Sequence, residues 1–203
     1  MSDAREDMLG RVNKALAPLP ERKPLPDWDA ELAVAHKLVD HHDPLELFGE
    51  RIKLVNGMAM TGIGALAAFL KNGGWLHGYC DPVLLPTIQP KFGAEFTFET
   101  EFDRTRVDDY AFGITRAAGG IAETGTIILN DTLTSRRLGA LAPWVHIAVV
   151  PRGEIHLTLM DAVLALGDDP NVIWATGPSK TADIEGILIE GVHGPGVQIA
   201  LVL

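Results

Sequence analysis

The residues best suited to chemistry in this chain cluster in glycine-bounded runs. Gly120-Ile-Ala-Glu-Thr-Gly-Thr126 precedes the apolar Ile127-Ile128-Leu129, and Gly177-Pro-Ser-Lys-Thr-Ala-Asp-Ile-Glu185 is followed shortly by Gly191-Val-His-Gly-Pro-Gly196. Glycine lets a ligand approach the backbone, and free N–H groups at such bends and at helix N-termini hold anions. Glu123, at a loop-to-strand junction, can act as a general base in a low-dielectric pocket or accept N–H bonds that fix its loop. Thr124 and Thr126 place hydroxyls on either side of Gly125, where they can bind an anion.

In the second run, Gly177, Ser179, Lys180 and Thr181 follow the apolar Val172-Ile-Trp-Ala and cap a strand at its carboxyl end, where open α/β sheets bind ligands. Their N–H, hydroxyl and ammonium groups make a cradle for phosphate or carboxylate, although the glycine–lysine spacing is not that of a P-loop. The alternative is a helix cap at Ser179 or Thr181, with Asp183 and Glu185 in the first turn for dipole reasons. Those two acids also repel an anion. His193, between glycines, either titrates near neutrality against a substrate or holds its own loop through a backbone carbonyl. His146, inside an apolar strand, reads as a satisfied structural histidine. The His41-His42-Asp43 run before Pro44 reads as a solvated turn, because neighbouring imidazoles diverge rather than converge on a metal. No metal and no cofactor is expected. Arg136-Arg137 is either surface charge or a binder of an acidic partner or a carboxylate.

Leu9, Val12 and Leu16 predict an amphipathic helix over 3–17, and the prolines at 18, 20, 24 and 26 force an extended connection after it. Further helices are predicted over 29–40 and over 59–71, the latter closed by Asn72-Gly73-Gly74, with a short strand at 52–55 between them. Strands are predicted at 75–77, 111–115, 126–129, 145–150, 172–175 and 197–203, several continuously apolar as in strands covered on both faces. Ile155, Leu159, Val163 and Leu166 predict a helix ending at Gly167. The strand–helix–strand order over 145–176 then implies a right-handed crossover within one sheet. Residues 92–109, with Phe96, Phe98 and Phe102, read as an irregular strand or a hairpin. The fold class is α/β: a single-domain open, mostly parallel sheet flanked by helices.

The 203 residues are enough to bury one core, and 47% hydrophobic with 22% charged residues is ordinary for a globular protein. The formal charge of −10 argues against nucleic-acid and anionic-membrane binding, which need a positive field. The longest apolar stretch, 58–70, is too short and too interrupted for a membrane span. Cys80 is the one cysteine, so the chain carries neither an internal disulfide nor the four thiolates of an iron–sulfur cluster. With no signal peptide at the N-terminus, the expected location is the cytoplasm.

Three runs carry a family resemblance: Gly113-Ile-Thr-Arg-Ala-Ala-Gly-Gly-Ile-Ala-Glu-Thr-Gly-Thr-Ile-Ile-Leu129, Leu141-Ala-Pro-Trp-Val-His-Ile-Ala-Val-Val150, and Gly177 to Glu185 with Gly191-Val-His-Gly-Pro195. In this order they resemble the signature of the LUD, or lactate-utilisation, domain family, densely from about residue 111 onward and loosely before. The resemblance implies a fold like that of sugar-phosphate isomerases and coenzyme A transferases. It also implies a role in oxidising L-lactate to pyruvate beside iron–sulfur partner proteins. On that basis residues 1–27 are an arm and linker, and 28–203 the LUD domain. The function expected is a non-redox component that holds a small anionic metabolite or a partner at the glycine-rich loops. Two alternatives stay open: acyl transfer like that of coenzyme A transferases with Glu123 as nucleophile, and a metabolite-sensing interaction module. Whether this chain catalyses any step is open as well.

Overall fold

Val145–Val150 and Val197–Val202 each carry a single polar residue, and strands of that kind are stable only where both faces are covered. They form the centre of the fold. The structure is a computed structural model and describes residues 2–18, 43–134, 137–167, 171–182, 185 and 187–203. The helix predicted over 29–40, the prolines at 20, 24 and 26, His41-His42, Arg136 and Asp183 lie outside those residues. The chain divides into two units, Met1–Leu38 and Val39–Leu203. In the first, α1 (Ser2–Leu16) has the helical span that its apolar spacing predicts.

The second unit begins with α2 (Pro44–Leu54). Asp43 accepts the Leu45 N–H at 2.8 Å, and Pro44 presets the first helical φ. Leu47, Phe48 and Ile52 form its buried face. The strand expected over 52–55 does not form. Ile52 continues the helical face instead, and Asn56, at φ 63°, turns the chain into β1 (Met58–Met60). The following helix, α3 (Ile63–Asn72), starts later than predicted because residues 58–60 pair with the last strand.

The remaining elements are β2 (His77–Cys80), α4 (Leu85–Ile88), β3 (Thr97–Glu99), β4 (Phe112–Arg116), β5 (Gly119–Ile121), β6 (Thr126–Asn130), α5 (Arg137–Leu141), β7 (Val145–Val150), β8 (Ile155–His156), α6 (Leu159–Ala165), β9 (Val172–Ala175), β10 (Lys180–Ala182), β11 (Leu188–Glu190) and β12 (Val197–Val202). Six strands make a wholly parallel sheet in the order β1-β12-β7-β4-β2-β3, the open parallel sheet expected. A second sheet, β8-β5-β6-β9, was not legible in the sequence. It also corrects the crossover over 145–176, because β9 pairs antiparallel with β6 rather than joining β7. The place beside β7 belongs to β12, whose residues are buried almost throughout, whereas β9 leaves Trp174 38% exposed and suits an edge.

Burial separates the two faces of the parallel sheet. Phe112, Ile114, Val145, Ile147, Ile199 and Leu201 pack against Leu66 and Leu70 of α3 and Ile88 of α4. On the other face Ala148, Val150, Ala200 and Val202 meet Leu47, Phe48 and Ile52 of α2 and Ile127 and Leu129 of the second sheet. Helix α6 covers the outside of that sheet through Ala162 against Ile121 and Ile128. Among the described residues no helix is long and apolar enough to cross a membrane.

The ambiguous stretch 92–109 becomes the edge strand β3 and a 3₁₀ segment, Arg104–Asp109. Aromatic packing rather than periodicity organises it: Phe92 meets Phe96 and Phe98 edge-on, with ring centroids 4.8 and 5.2 Å apart. Glu99 ties this edge down. His77 Nε2 lies 2.9 Å from its Oε1, while Arg106 and the Tyr110 hydroxyl donate to its Oε2 at 2.6 and 3.0 Å. Burial alone would raise the Glu99 carboxyl, but hydrogen bonds from Tyr110, His77 and Arg106 outweigh it and hold it below its ordinary range. The resulting stabilisation is complete above the ordinary carboxylate range and is lost as pH falls through the lowered value. Glu99→Gln should therefore lower the melting temperature at neutral pH and flatten its decline in acid, as followed by circular dichroism.

Candidate functional site

The three conspicuous runs converge in space. Loop 191–196 is strapped to the loop preceding β10: the Ser179 N–H donates to the Pro195 carbonyl at 2.8 Å, and the Gly191 N–H donates to the Ser179 carbonyl at 2.9 Å. The Trp144 indole, just before β7, lies against Gly191 and Gly196, so closely that a β-carbon at either would fall 2.3 Å from the ring. The Gly120–Thr126 run arrives from the second sheet. Thr126 Oγ1 lies 2.7 Å from both Thr124 Oγ1 and Thr176 Oγ1, a hydroxyl chain linking the β5–β6 turn to the residue before Gly177.

Both bends rest on α2. Gly125, at φ 67°, sits where a β-carbon would be 2.3 Å from the Ile52 nitrogen, and Gly177, at φ 76°, where it would be 2.0 Å from the Val55 carbonyl oxygen. These glycines serve close backbone packing and a left-handed turn at once.

Beneath Gly177 and Ser179 lies a cavity of about 310 Å³ with His146 and Gln198 in its wall and apolar contributions from Leu129 and Ile173. The parallel register sets the polar part, because Gly113 of β4, His146 of β7 and Gln198 of β12 occupy one row across three adjacent strands. At Gly113 the Gly139 carbonyl takes the space a β-carbon would need. Thr115 Oγ1 lies 2.9 Å from His146 Nε2, and the Gln198 amide nitrogen lies 2.9 Å from His146 Nδ1. Burial pushes the imidazole down to about 4, with the Gln198 hydrogen bond opposing it only in part. At neutral pH this wall is polar and uncharged.

The other candidates have definite places. Glu123 lies in the β5–β6 turn, where its Oε1 accepts the Leu159 N–H at 3.0 Å at the start of α6; it does not line the cavity. Lys180 Nζ donates to the Val55 carbonyl at 3.2 Å and lies 3.6 Å from Glu190, and Glu190 also accepts from Asn56 at 2.7 Å. Thr181 pairs with Ile189 inside the β10–β11 hairpin, and Glu185 is exposed in its turn. His193 is exposed and borders a separate hollow of about 690 Å³ with Trp75, Tyr110 and Trp144. Gly177, Ser179 and the His193 loop are thus brought together, and Thr124–Thr126 adjoin them through Thr176. Glu123 and Glu185 stand apart from the cavity.

The LUD domain family model matches residues 55–203. The chain belongs to the LUD domain family. "Lactate utilization protein C" of Deinococcus radiodurans is 30% identical over 201 residues, covering 96% of this chain and 92% of that protein. A Bacillus subtilis protein of the same name is 36% identical over 99 residues, 45% of this chain and 41% of its own length. The crystal structure of a DUF162 family protein from Deinococcus radiodurans superposes with a TM-score of 0.56 at 26% identity, covering 79% of this chain and 96% of that one.

In this LUD domain the polar cavity wall His146–Gln198, with Thr115 hydrogen-bonded to His146, was not foreseen from the sequence. One signal was present: His146 and Gln198 each occupy the second position of an otherwise apolar strand, and a buried polar side chain requires a partner. Two outcomes are expected. Glu123→Ala should cost about 1 kcal/mol of stability by removing the acceptor of the Leu159 N–H while Thr158 still caps α6, and Glu123→Gln, which keeps an acceptor oxygen, should cost less in denaturant titration. His146 stays neutral in the fold down to about 4 but protonates near its ordinary value when unfolded. Its contribution is therefore complete above that ordinary value and falls as pH drops toward about 4, by about 1.4 kcal/mol per unit. His146→Gln should remove that component from the pH dependence of the unfolding free energy.

Proposed function

We propose that this LUD domain is a non-redox component of an L-lactate utilisation system, working beside iron–sulfur partner proteins. The observation that carries this reading is the match along 96% of the chain to a relative named for lactate utilization. The cysteine content supports the division of labour. Cys80 is buried on β2, and burial followed by the neighbouring Asp81 charge pushes its thiol up to about 12, so it is not poised as a thiolate. In this reading the Gly177–Thr181 loop and the cavity beneath it hold a small ligand or a partner's side chain. The neutral His146–Gln198 wall suits a hydroxyl or amide group better than a charged one, since Lys180 is already held by Val55 and Glu190.

Deleting the gene in its native host tests the role directly. Growth on L-lactate as sole carbon source should fall while growth on glucose is unchanged, and the intact gene should restore it. Undiminished growth on L-lactate, with no second copy in the genome, would overturn the proposal. Purification of the tagged chain from lactate-grown cells should recover proteins with iron–sulfur absorbance.

A further inference from the structure

We infer that the carboxyl ends of β2 and β4 form a second binding site, separate from the cavity under Ser179, in which Arg116 anchors a compact monocarboxylate. The topology supplies a switch point between β2 and β4. From β2 the chain runs outward to β3 through α4, on the face that contains Ile88. From β4 it runs the opposite way to β7, through the second sheet and α5, on the face that contains Leu129 and Ala140. Neighbouring parallel strands whose connections leave in opposite directions and on opposite faces open a gap beyond their carboxyl ends, and open α/β sheets bind ligands there.

A positioned cation stands at that gap. Asp81, immediately after β2, is wholly buried, and Arg116, the last residue of β4, keeps 29% of its side chain exposed. Arg116 Nε donates to Asp81 Oδ2 at 2.9 Å, while Asp81 Oδ1 accepts the Val83 N–H at 2.8 Å. The Arg116 backbone is fixed as well, since the buried Thr134 hydroxyl donates to its carbonyl at 2.9 Å. Arg116 makes no other side-chain hydrogen bond or ion pair among the described residues. The two terminal nitrogens therefore present a fork, oriented from behind by a buried carboxylate and partly shielded from water.

That arrangement selects its ligand class. A guanidinium edge matches the two oxygens of a carboxylate in a bidentate pair. Asp81 already balances one positive charge, so a monoanion is favoured over a dianion such as phosphate. Any short monocarboxylate fits this description, 2-hydroxy and 2-oxo acids among them. Choosing L-lactate and pyruvate as probes rests on the proposed function, whereas the arginine geometry does not.

The test is titration of the full chain with L-lactate, pyruvate, acetate and inorganic phosphate, followed by calorimetry and ligand-observed NMR. Saturable binding of L-lactate or pyruvate is expected, with Arg116→Lys weakening it by about tenfold or more because the charge remains but the fork is lost. The double variant Asp81→Asn/Arg116→Gln avoids leaving a buried charge unpaired and should abolish binding. No saturable carboxylate binding below about 50 mM overturns the inference. So does binding unchanged in Arg116→Lys or retained in the double variant, or phosphate binding more tightly than any carboxylate. If the double variant does not fold, wild type against Arg116→Lys decides. Failure here with lactate growth still dependent on the gene leaves the proposed function standing. Binding without any growth defect does the reverse.

Discussion

Two loops from distant parts of the chain can lie on α2 because Gly125 and Gly177 present no β-carbon to its backbone. At these positions the gap to the Ile52 nitrogen and the Val55 carbonyl is filled by the approach itself, and any larger residue would have to push the helix away. Much else depends on that contact. It places the β5–β6 turn beside the end of β9, allows the Thr124–Thr126–Thr176 hydroxyl chain to close, and fixes the roof of the cavity that contains Ser179. Glycines that the sequence offers as room for a ligand turn out to be room for the protein's own backbone.

The second organising feature is the distribution of charge along the parallel sheet. Near the amino ends of β7 and β12 the polar groups are His146 and Gln198, buried, mutually hydrogen-bonded and neutral. Beyond the carboxyl ends of β2 and β4 the polar groups are Asp81 and Arg116, an ion pair with part of the cation exposed. Burial explains the contrast. A histidine enclosed among apolar strands gives up its proton, whereas an arginine at a strand end keeps its charge and reaches toward solvent.

The fold class, the central strands 145–150 and 197–203, and the first helix were legible because each is set by local sequence pattern. Family membership was legible for a similar reason, since the runs that carry the resemblance, such as Gly177-Pro-Ser-Lys-Thr, are contiguous in the chain. Ile52–Val55 misled because a short apolar run fits a strand and a helix face equally well, and Leu47 and Phe48 at helical distance decide between them. The second sheet was hidden because β5 and β8 are only three and two residues long, too short to show a period.

What the sequence determined by itself is therefore the α/β class with its mostly parallel sheet, the family, and the shortage of thiols for a metal cluster. Only the tertiary structure decided which polar groups are available. Lys180 looked like an anion ligand until Val55, 125 residues away, was found to accept its hydrogen bond. Arg116 looked like one residue of a motif until β2 brought Asp81 to its Nε and left its far edge open. The physical reason is common to both. A charged group's partner is set by distance in space, and strand order places residues side by side that linear spacing gives no reason to connect.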